Sequence, residues 1–336
     1  MSNISIIGYG SWGIALSLLL REKGHAVRAW RRDATKVAIL RETRTSAVLP
    51  GIKIPEDIEI TSDLSETCNG ADMLWLAVPS SAVRETARQL ATYVSDGQII
   101  VCVAKGLEDG SLLRLSEVIE DEIPQCRAAV LSGPSHAEEL ARKVPTTCVV
   151  ASRHNGVPEA VQDCALAPYF RVYTNPDIIG VELGGALKNV IALAAGISDG
   201  IGCGDNTKAA LMTRGIAEIA RLGVAMGADL FTFSGLAGIG DLIVTCISMH
   251  SRNRRAGILL GEGKPLDEVL SAIGMVVEGV HTAHAAHELA TRHNVEMPII
   301  AEVNRVLFEG KNPQQAVMDL MARDKTDESA REDARI

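Results

Sequence analysis

A glycine pattern near the start of the chain restricts its fold more than any other feature. In "SIIGYGSWGIALSLLL", Gly8, Gly10 and Gly13 are spaced G-x-G-x-x-G between a β-branched run and an apolar stretch of helical period. At such a strand-to-helix turn the first glycine permits the tight turn, the second lets a pyrophosphate approach, and the third lets helix pack on strand. Free N–H groups at the helix start hold the anion. The pattern predicts a dinucleotide site, with Ser11 and Trp12 contacting the cofactor; a glycine turn without a ligand is the alternative.

The end of the second predicted strand, "AVRAWRRD", bears on which dinucleotide is bound. A fold that binds NAD usually places Asp or Glu there, to hold the ribose 2′-hydroxyl. Here Arg31 and Arg32 follow the strand, with Asp33 next. Guanidinium groups suit a 2′-phosphate, which a carboxylate would repel. The pattern predicts a preference for NADPH, with NADH as the second cofactor, and a solvated basic turn is the competing interpretation.

The first half of the chain alternates strand-like and helical runs. "DMLWLAVP", "QIIVCVAKG", "CRAAVLSGPS" and "TTCVVAS" continue the strand series, which predicts a Rossmann-type doubly wound parallel sheet over residues 1–180. Beyond that point long helical periods predict an all-α second domain over 181–323, and the charged segment 324–336 predicts a mobile tail. The helical periods cover 183–197, 207–227, 266–273, 281–293 and 298–309.

Composition excludes several classes of protein. The 336 residues carry a net charge of −9 and 3% aromatic side chains, which argues against nucleic-acid binding but leaves room for a local cationic pocket. No apolar run reaches roughly 18 residues, so no membrane insertion is expected. Seven isolated cysteines without a CxxC pair predict a reduced, cytoplasmic protein.

A lysine stands in an unusual place in the apolar helical segment "ELGGALKNVIALAAG". Three and four residues from Lys188 lie Gly184, Gly185, Ile191 and Ala192, so the lysine shares a helix face with mostly small residues. Such a lysine is costly unless its charge has a partner or a task. The segment predicts a functional lysine, and a lysine at a helix–helix contact with its amine reaching solvent is the alternative.

Further polar candidates stand at predicted strand ends. Lys105 ends the strand in "VCVAKG", at the edge where open α/β sheets bind ligands. "SGPSHAEE" places Gly133, Ser135 and Ala137 on a turn into a helix, as candidate anion or ribose contacts. We expect these residues to border the site, although each one alone would fit a solvated surface.

Two later segments add an acidic and a basic candidate. "GLAGIGDLIVTC" is predicted to present Asp241 from a flexible glycine-rich loop, and its G-x-G lacks the preceding strand of a dinucleotide turn. "SRNRR" at 251–255 places three arginines around Asn253 near a predicted helix start. A basic cluster beside free N–H groups suits a phosphate.

Three histidines in "EGVHTAHAAHEL" recur every third residue, at His281, His284 and His287. On a helix this spacing drifts around the surface, and no supporting polar shell is apparent. No metal site is predicted.

The chain resembles the bacterial-type NAD(P)-dependent sn-glycerol-3-phosphate dehydrogenase family over residues 3–323. The resemblance is carried by "GYGSWG", "VAKGLE", "SGPSHAEE", "GVELGGALKNVIALAAGISDGIG", "GDNTKAALMTRGIAEI", "GLAGIGDLIVTC" with "SRNRR", and "VVEG". The glycine–alanine–leucine–lysine–asparagine run and the "GLAGIGDL" block are more specific than the glycine turn. One departure is His136, where the family commonly has an aromatic residue.

The resemblance implies reversible reduction of dihydroxyacetone phosphate to sn-glycerol 3-phosphate by NAD(P)H, for phospholipid synthesis. It implies that Lys188 is the catalytic proton donor in reduction. The implied substrate contacts are Lys105, Gly133, Ser135, Lys188, Asp241, Ser251, Arg252 and Asn253. The implied cofactor contacts, with the glycines of the turn, are Ser11, Trp12, Arg31, Arg32, Lys105, Ala137, Arg252, Val276 and Glu278.

Two other functions share part of this pattern. A β-hydroxyacid dehydrogenase shares this domain order but has asparagine three residues after its lysine, where this chain has Ile191. A regulatory protein that senses NADPH without turnover would not need Lys188 together with Asp241 and the arginine cluster. A helical second domain often offers a dimer surface, so a homodimer acting on a small phosphorylated substrate is expected.

Overall fold

A computed structural model describes residues 1–325 and Glu328. The tail predicted over 324–336 therefore lies mostly outside the described residues, and its mobility stays a prediction. The described chain folds into a sheet with covering helices, followed by a helical region.

The first part of the chain is built on one eight-stranded sheet with the order β3-β2-β1-β4-β5-β6-β7-β8. Strands β1 to β6 run parallel, and the first six positions have the order typical of dinucleotide-binding folds. The predicted Rossmann-type doubly wound sheet is confirmed. The strands are β1 Asn3–Ile7, β2 Ala26–Trp30, β3 Glu59–Thr61, β4 Met73–Leu76, β5 Ile99–Cys102, β6 Arg127–Ser132, β7 Thr146–Ala151 and β8 Phe170–Asn175.

Helices cover both faces of the sheet. Along β1, Ile4 and Ile6 pack into one apolar core and Ile7 into the other, because successive side chains point to opposite faces. A central strand buried on both sides explains why "ISII" is continuously apolar. The helices of this region are α1 Ser11–Glu22, α2 Ala34–Thr43, α3 Leu64–Cys68, α4 Val83–Leu90, α5 Leu115–Glu122, α6 Ala137–Leu140 and α7 Val157–Ala165, with a 3₁₀ turn at Ser80–Ala82.

The expected parallel arrangement ends after β6: β7 and β8 run opposite to the first six strands, since β7 pairs antiparallel with β6. The connection between these strands contains only the four-residue helix α6. That helix spans about 6 Å, whereas crossing back along a six-residue strand requires roughly 20 Å. The chain therefore re-enters the sheet at the edge where it left, and β8 then pairs parallel with β7.

The rest of the described chain is helical around one long central helix. The five predicted helical periods are confirmed as α8, α9, α12, α13 and α14. Three further helices, α10, α11 and α15, were not predicted from periodicity. The helices are α8 Ile178–Ile201, α9 Asp205–Ala225, α10 Asp241–Ile247, α11 Arg252–Gly261, α12 Leu266–Ile273, α13 Glu278–Arg292, α14 Pro298–Phe308 and α15 Pro313–Met321, with a 3₁₀ turn at Leu230–Ser234 and a π turn at Leu236–Gly240.

Helix α8 is long and apolar enough to cross a bilayer, with a mean hydropathy of 1.6 over its most apolar window. In the structure 83% of that window is buried inside the protein. Helices α9, α10, α11 and α13 surround it. Its apolar composition is therefore explained by its position as the core of the helical region.

Helices α8 and α11 touch backbone to backbone. A β-carbon built on Gly196 would lie 2.1 Å from the carbonyl oxygen of Arg254, and one on Gly257 would lie 2.1 Å from that of Leu193. Gly200 and Gly261 repeat the arrangement one turn further along. Glycine at these positions sets the distance between the two helices.

Buried polar contacts connect the sheet region to the helical region. Glu182 of α8 accepts hydrogen bonds from the backbone N–H of Ser116 at 2.8 Å and from Nη1 of Arg114 at 2.6 Å. Glu278, at the start of α13, accepts hydrogen bonds from the backbone N–H of Ser80 at 3.1 Å and from its hydroxyl. The sheet region and the helical region are therefore joined at two places, through Glu182 and through Glu278.

Candidate active site

Four chain segments bring charged side chains together at the carboxyl edge of the sheet. Lys105 follows β5, and Ser135 follows β6, where open α/β sheets bind ligands. Helix α8 supplies Lys188 from below this edge, and α10 supplies Asp241. Residues that lie far apart in the sequence thus form one cluster between the sheet and the helical region.

Asp241 bridges two lysines at the centre of the cluster. Its Oδ1 lies 2.5 Å from Nζ of Lys188, and its Oδ2 lies 2.7 Å from Nζ of Lys105. Lys188 is 5% exposed and Asp241 is 1% exposed. Lys105 also donates to the carbonyl oxygen of Gly133 at 2.8 Å and to the Ser135 hydroxyl at 3.0 Å. The site therefore holds two positive charges around one buried carboxylate.

Burial and the opposing charges set the protonation of these groups. Burial lowers the pKa of Lys188 to about 8; Asp241 opposes this shift and Lys105 adds to it. Burial alone would raise the pKa of Asp241, but the two ammonium groups outweigh it and hold that pKa below its usual range. The cluster accordingly contains an ionised carboxylate and an amine whose pKa is lowered to about 8.

The prediction that a flexible glycine-rich loop presents Asp241 is wrong. Asp241 is the first residue of α10, and the preceding segment forms a π turn that is kinked at Gly238. A β-carbon on Gly238 would lie 2.0 Å from the carbonyl oxygen of Phe233. The glycines therefore allow close packing, which fixes the carboxylate in place.

Two side chains in the cluster were missed by the sequence reasoning. Thr245 lies one turn after Asp241 on α10 and accepts a hydrogen bond from Lys188 at 2.7 Å. Asn189 donates to the carbonyl oxygen of Lys105 and accepts from Asn253 at 2.9 Å. The four-residue spacing of Asp241 and Thr245 was the available signal for the first, because it places both on one helix face.

The predicted phosphate segment starts α11. The Ser251 hydroxyl accepts a hydrogen bond from the backbone N–H of Arg254 and so caps the helix. Arg252 is largely buried and donates to the carbonyl oxygen of Val276 at 2.8 Å. Asn253 contacts Asn189 and the backbone N–H of Gly279. The segment thus connects the lysine cluster to the start of α13.

The glycine turn has the shape that a dinucleotide needs. Gly8 has a φ of +108°, and a β-carbon there would lie 2.6 Å from the backbone of Ala77. A β-carbon on Gly13 would lie 2.1 Å from the carbonyl oxygen of Gly8, whereas one on Gly10 would meet nothing within 4 Å. Helix α1, whose first two residues are Ser11 and Trp12, has no side-chain cap. Its start therefore offers free N–H groups beside open space, which fits a pyrophosphate.

The arginines after β2 lie beside this turn. Nη1 of Arg31 donates to the carbonyl oxygen of Tyr9 at 2.8 Å, and Arg32 is exposed. Asp33 caps α2 by accepting a hydrogen bond from the backbone N–H of Lys36, and it is ion-paired with that residue. The Asp33 carboxylate is therefore occupied by its contacts with α2, while the guanidinium of Arg31 lies next to the glycine turn.

The remaining cofactor candidates lie on segments from both regions of the chain. Ala137 is buried at the start of α6. Glu278 contacts Ser80, and a β-carbon on Gly106 would lie 3.4 Å from its carboxylate. Lys105 adjoins Gly106 in the chain. At the carboxyl edge of the sheet the glycine turn follows β1, and the lysine cluster lies two to three strands away, after β5 and β6.

The histidine series lies on α13. Within the part of the chain that the structure describes, no group of three or more His, Cys, Asp or Glu side chains could hold a metal ion.

A dinucleotide turn on a Rossmann-type sheet, together with a buried amine at the junction with a helical region, defines the class of two-domain nucleotide-dependent oxidoreductases. The family model for the N-terminus of NAD-dependent glycerol-3-phosphate dehydrogenase matches residues 3–157, and the model for its C-terminus matches residues 177–318. The chain belongs to the NAD-dependent glycerol-3-phosphate dehydrogenase family.

Individual relatives agree with this family. The chain is 55% identical over 330 residues to a glycerol-3-phosphate dehydrogenase [NAD(P)+] from Fusobacterium nucleatum, covering 97% of this chain and 98% of the relative. It is 56% identical over 327 residues to one from Moorella thermoacetica, covering 97% of each. The crystal structure of the Coxiella burnetii enzyme superimposes with a TM-score of 0.92 at 40% identity, covering 96% of this chain and 99% of that one.

Proposed function

We propose that this chain catalyses the reversible reduction of dihydroxyacetone phosphate to sn-glycerol 3-phosphate with NAD(P)H. The observation that carries the proposal is the buried Lys188, paired with Asp241 beside Lys105, in a member of this dehydrogenase family. The substrate is expected to bind at this cluster, because the cluster provides both a proton donor and positive charge.

Lys188 is the residue that handles the proton. Reduction of a ketone leaves negative charge on its oxygen, and a nearby ammonium stabilises and protonates that oxygen. A pKa of about 8 suits both directions, because the amine is protonated for reduction and readily accepts the proton in oxidation. Asp241 and Thr245 orient the amine.

The phosphate of the substrate is held at the start of α11. Arg252 and the cap at Ser251 supply positive charge and N–H groups there, next to Asn253. Lys105 and Ser135 bound the other side of the substrate. Holding the phosphate fixes the position of the carbonyl oxygen relative to Lys188.

The glycine turn and its neighbours hold the dinucleotide. When bound, the nicotinamide ring supplies the hydride for the carbonyl carbon. Arg31 and Arg32 favour NADPH over NADH, since guanidinium groups pair with a 2′-phosphate. The residues proposed to contact the cofactor are Gly8, Gly10, Ser11, Trp12, Gly13, Arg31, Arg32, Lys105, Ala137, Arg252, Val276 and Glu278.

Oxidation of NADPH, followed by absorbance with and without dihydroxyacetone phosphate, tests the reaction. We expect Lys188→Ala to lower kcat by about a thousandfold, because the proton donor is lost. NADPH affinity, measured by fluorescence titration, should stay within about twofold. Normal turnover by this variant would contradict the role of Lys188. The proposed reaction would be contradicted if the unmutated chain oxidised NADPH without dihydroxyacetone phosphate, or failed to oxidise it when that substrate is present.

The cofactor preference is tested with the double variant Arg31→Ala, Arg32→Ala. We expect its KM for NADPH to rise about tenfold or more, because charge-assisted hydrogen bonds to the 2′-phosphate are lost. Its KM for NADH, measured in the same assay, should change little. Equal efficiency with both cofactors before and after the substitutions would contradict the preference.

The cellular setting follows from the same proposal. The product supplies glycerophospholipid synthesis, and the cysteines, which are unpaired and mostly buried, fit a reducing cytoplasm. A homodimer through the helical region is expected, and light scattering on the full chain measures its mass. A monomer at assay concentration would contradict the dimer.

A further inference from the structure

His136 is a partly buried polar side chain that the proposed reaction does not use. It lies between Ser135 and α6, and its Nε2 is buried without a hydrogen-bond partner among the described residues. A buried polar atom left unpaired destabilises the folded protein. Such an atom beside a ligand site indicates a partner that arrives with the ligand.

The ring of His136 packs near the turn that precedes α11. Its centroid lies 5.7 Å from that of His250, which immediately precedes Ser251 and Arg252. On its other side, Ser135 contacts Lys105. His136 therefore stands between the lysine cluster and the proposed phosphate position.

Charged groups surround His136 from every packed element. Lys188 on α8 and Lys105 after β5 act against its protonation, while Glu138 and Glu139 on α6 favour it. Asp241 on α10 is bound to both lysines, and His250 faces the ring from the turn before α11. Burial, followed by the charge of Lys188, lowers the pKa of His136, so the imidazole is neutral in the free protein at pH 7.

We propose that His136 is a further substrate-binding residue, whose Nε2 donates a hydrogen bond to the substrate phosphate as an imidazolium. This inference rests on the proposed function. A phosphate dianion next to the ring reverses the local charge balance, so the imidazole takes up a proton from solvent when the substrate binds. His136 thereby couples substrate affinity to pH without taking part in the chemical step.

The test compares the unmutated chain with His136→Gln from pH 6 to pH 9. Glutamine keeps a hydrogen-bond donor but cannot titrate. Taking the ratio of the two KM values for dihydroxyacetone phosphate at each pH cancels the titration of the substrate itself. His293→Gln, an exposed histidine after α13, is the matched control.

We expect the variant-to-parent KM ratio to be about ten at pH 6 and to fall to within about twofold of one at pH 9. The value of kcat should stay within about twofold throughout. His136→Phe, which lacks any donor, should raise KM at both ends of the range, and NADPH binding should show that each variant is folded.

A ratio that does not change with pH, or a loss confined to kcat, would overturn the role of His136 and leave the reaction intact. The absence of NADPH oxidation by the unmutated chain would overturn the reaction and this inference with it. The two failures are therefore distinguishable in one set of assays.

Discussion

At the scale of single residues, the central feature is one carboxylate shared by two amines from different parts of the chain. Asp241 contacts Lys188 of the helical region and Lys105 of the sheet region. Without that carboxylate, two ammonium groups would face each other at a buried site. The carboxylate therefore sets the proton affinity of the amine that the reaction uses.

Asp241→Asn should change the pH dependence of the enzyme. Loss of the negative charge removes the contribution that opposes burial, so the pKa of Lys188 should fall below about 8. Reduction requires the protonated amine, and kcat therefore declines as pH rises through this pKa. In the variant the decline should begin about two pH units lower, with kcat at pH 7 reduced roughly tenfold. Steady-state reduction of dihydroxyacetone phosphate from pH 6 to 9 measures this.

Thr245→Val is the control for Asp241→Asn. It removes a hydrogen bond to Lys188 but no charge, so the pH at which kcat declines should move less. If Asp241→Asn lowered kcat without moving the profile, the carboxylate would not be setting the pKa of Lys188.

The sequence predicted single functional residues better than their pairing. Lys188 was conspicuous as a lysine among small residues of an apolar helix. The contact of Asp241 with both amines depends on how α10 packs beside α8, which no local pattern encodes. The glycine-rich block made Asp241 a candidate, and the resemblance placed it among the substrate contacts; the proposed contacts at Val276 and Glu278 rest on resemblance alone.

At the scale of elements, the glycines of the turn serve two different purposes, close packing within the protein and close approach of a ligand. Gly13 is needed for packing, since a β-carbon there would lie 2.1 Å from the backbone of Gly8. Gly10 borders open space, so its missing side chain matters only when a ligand approaches. Replacing each glycine by alanine should therefore give different results.

Gly10→Ala should leave the melting temperature within about 2 °C of the parent, because its methyl group enters free space. Its Kd for NADPH should rise about tenfold or more, because that methyl group occupies the volume a pyrophosphate needs. Gly13→Ala should lower the free energy of unfolding by about 2 kcal/mol or more, from overpacking. Calorimetry and fluorescence titration measure both properties, and identical effects of the two substitutions would contradict the division.

The elements themselves were predictable where one apolar period ran undisturbed. Strands β1, β2 and β4 to β7 and helices α8, α9, α12, α13 and α14 follow from such runs, whereas β3 and β8 were not predicted. Helix α10 begins directly after "GLAGIG" and α11 begins within "SRNRR", where glycines and arginines obscure the period. The reversed strand β7 follows from the shortness of α6, a length that the apolar pattern does not reveal.

At the scale of the whole molecule, a buried ion pair joins the two regions. The side chains of Glu182 on α8 and Arg114 before α5 are 6% and 11% exposed, and their charged atoms lie 2.6 Å apart. Arg114 also contacts Glu117, whose side chain is 37% exposed, so one arginine has a buried partner and a partly exposed one. The two carboxylates provide a comparison within one site.

Glu182→Ala should lower the free energy of unfolding by about 3 kcal/mol, because it removes the buried partner of the Arg114 guanidinium and leaves only the more exposed Glu117. Glu117→Ala should cost about 1 kcal/mol, since it removes a more exposed contact at the start of α5. Urea unfolding followed by circular dichroism measures both. Equal losses would indicate that the junction between the regions does not depend on the buried pair.

The glycine contact between α8 and α11 has a consequence for how this scaffold diversifies. Lys188 and Arg252 lie on two helices, α8 and α11, whose main chains touch. Substitutions of neighbouring side chains therefore cannot increase the distance between these helices. A larger substrate could not be accommodated by spreading the helices apart. Changes in substrate specificity are therefore expected at the residues that follow β6, among them Ser135 and His136.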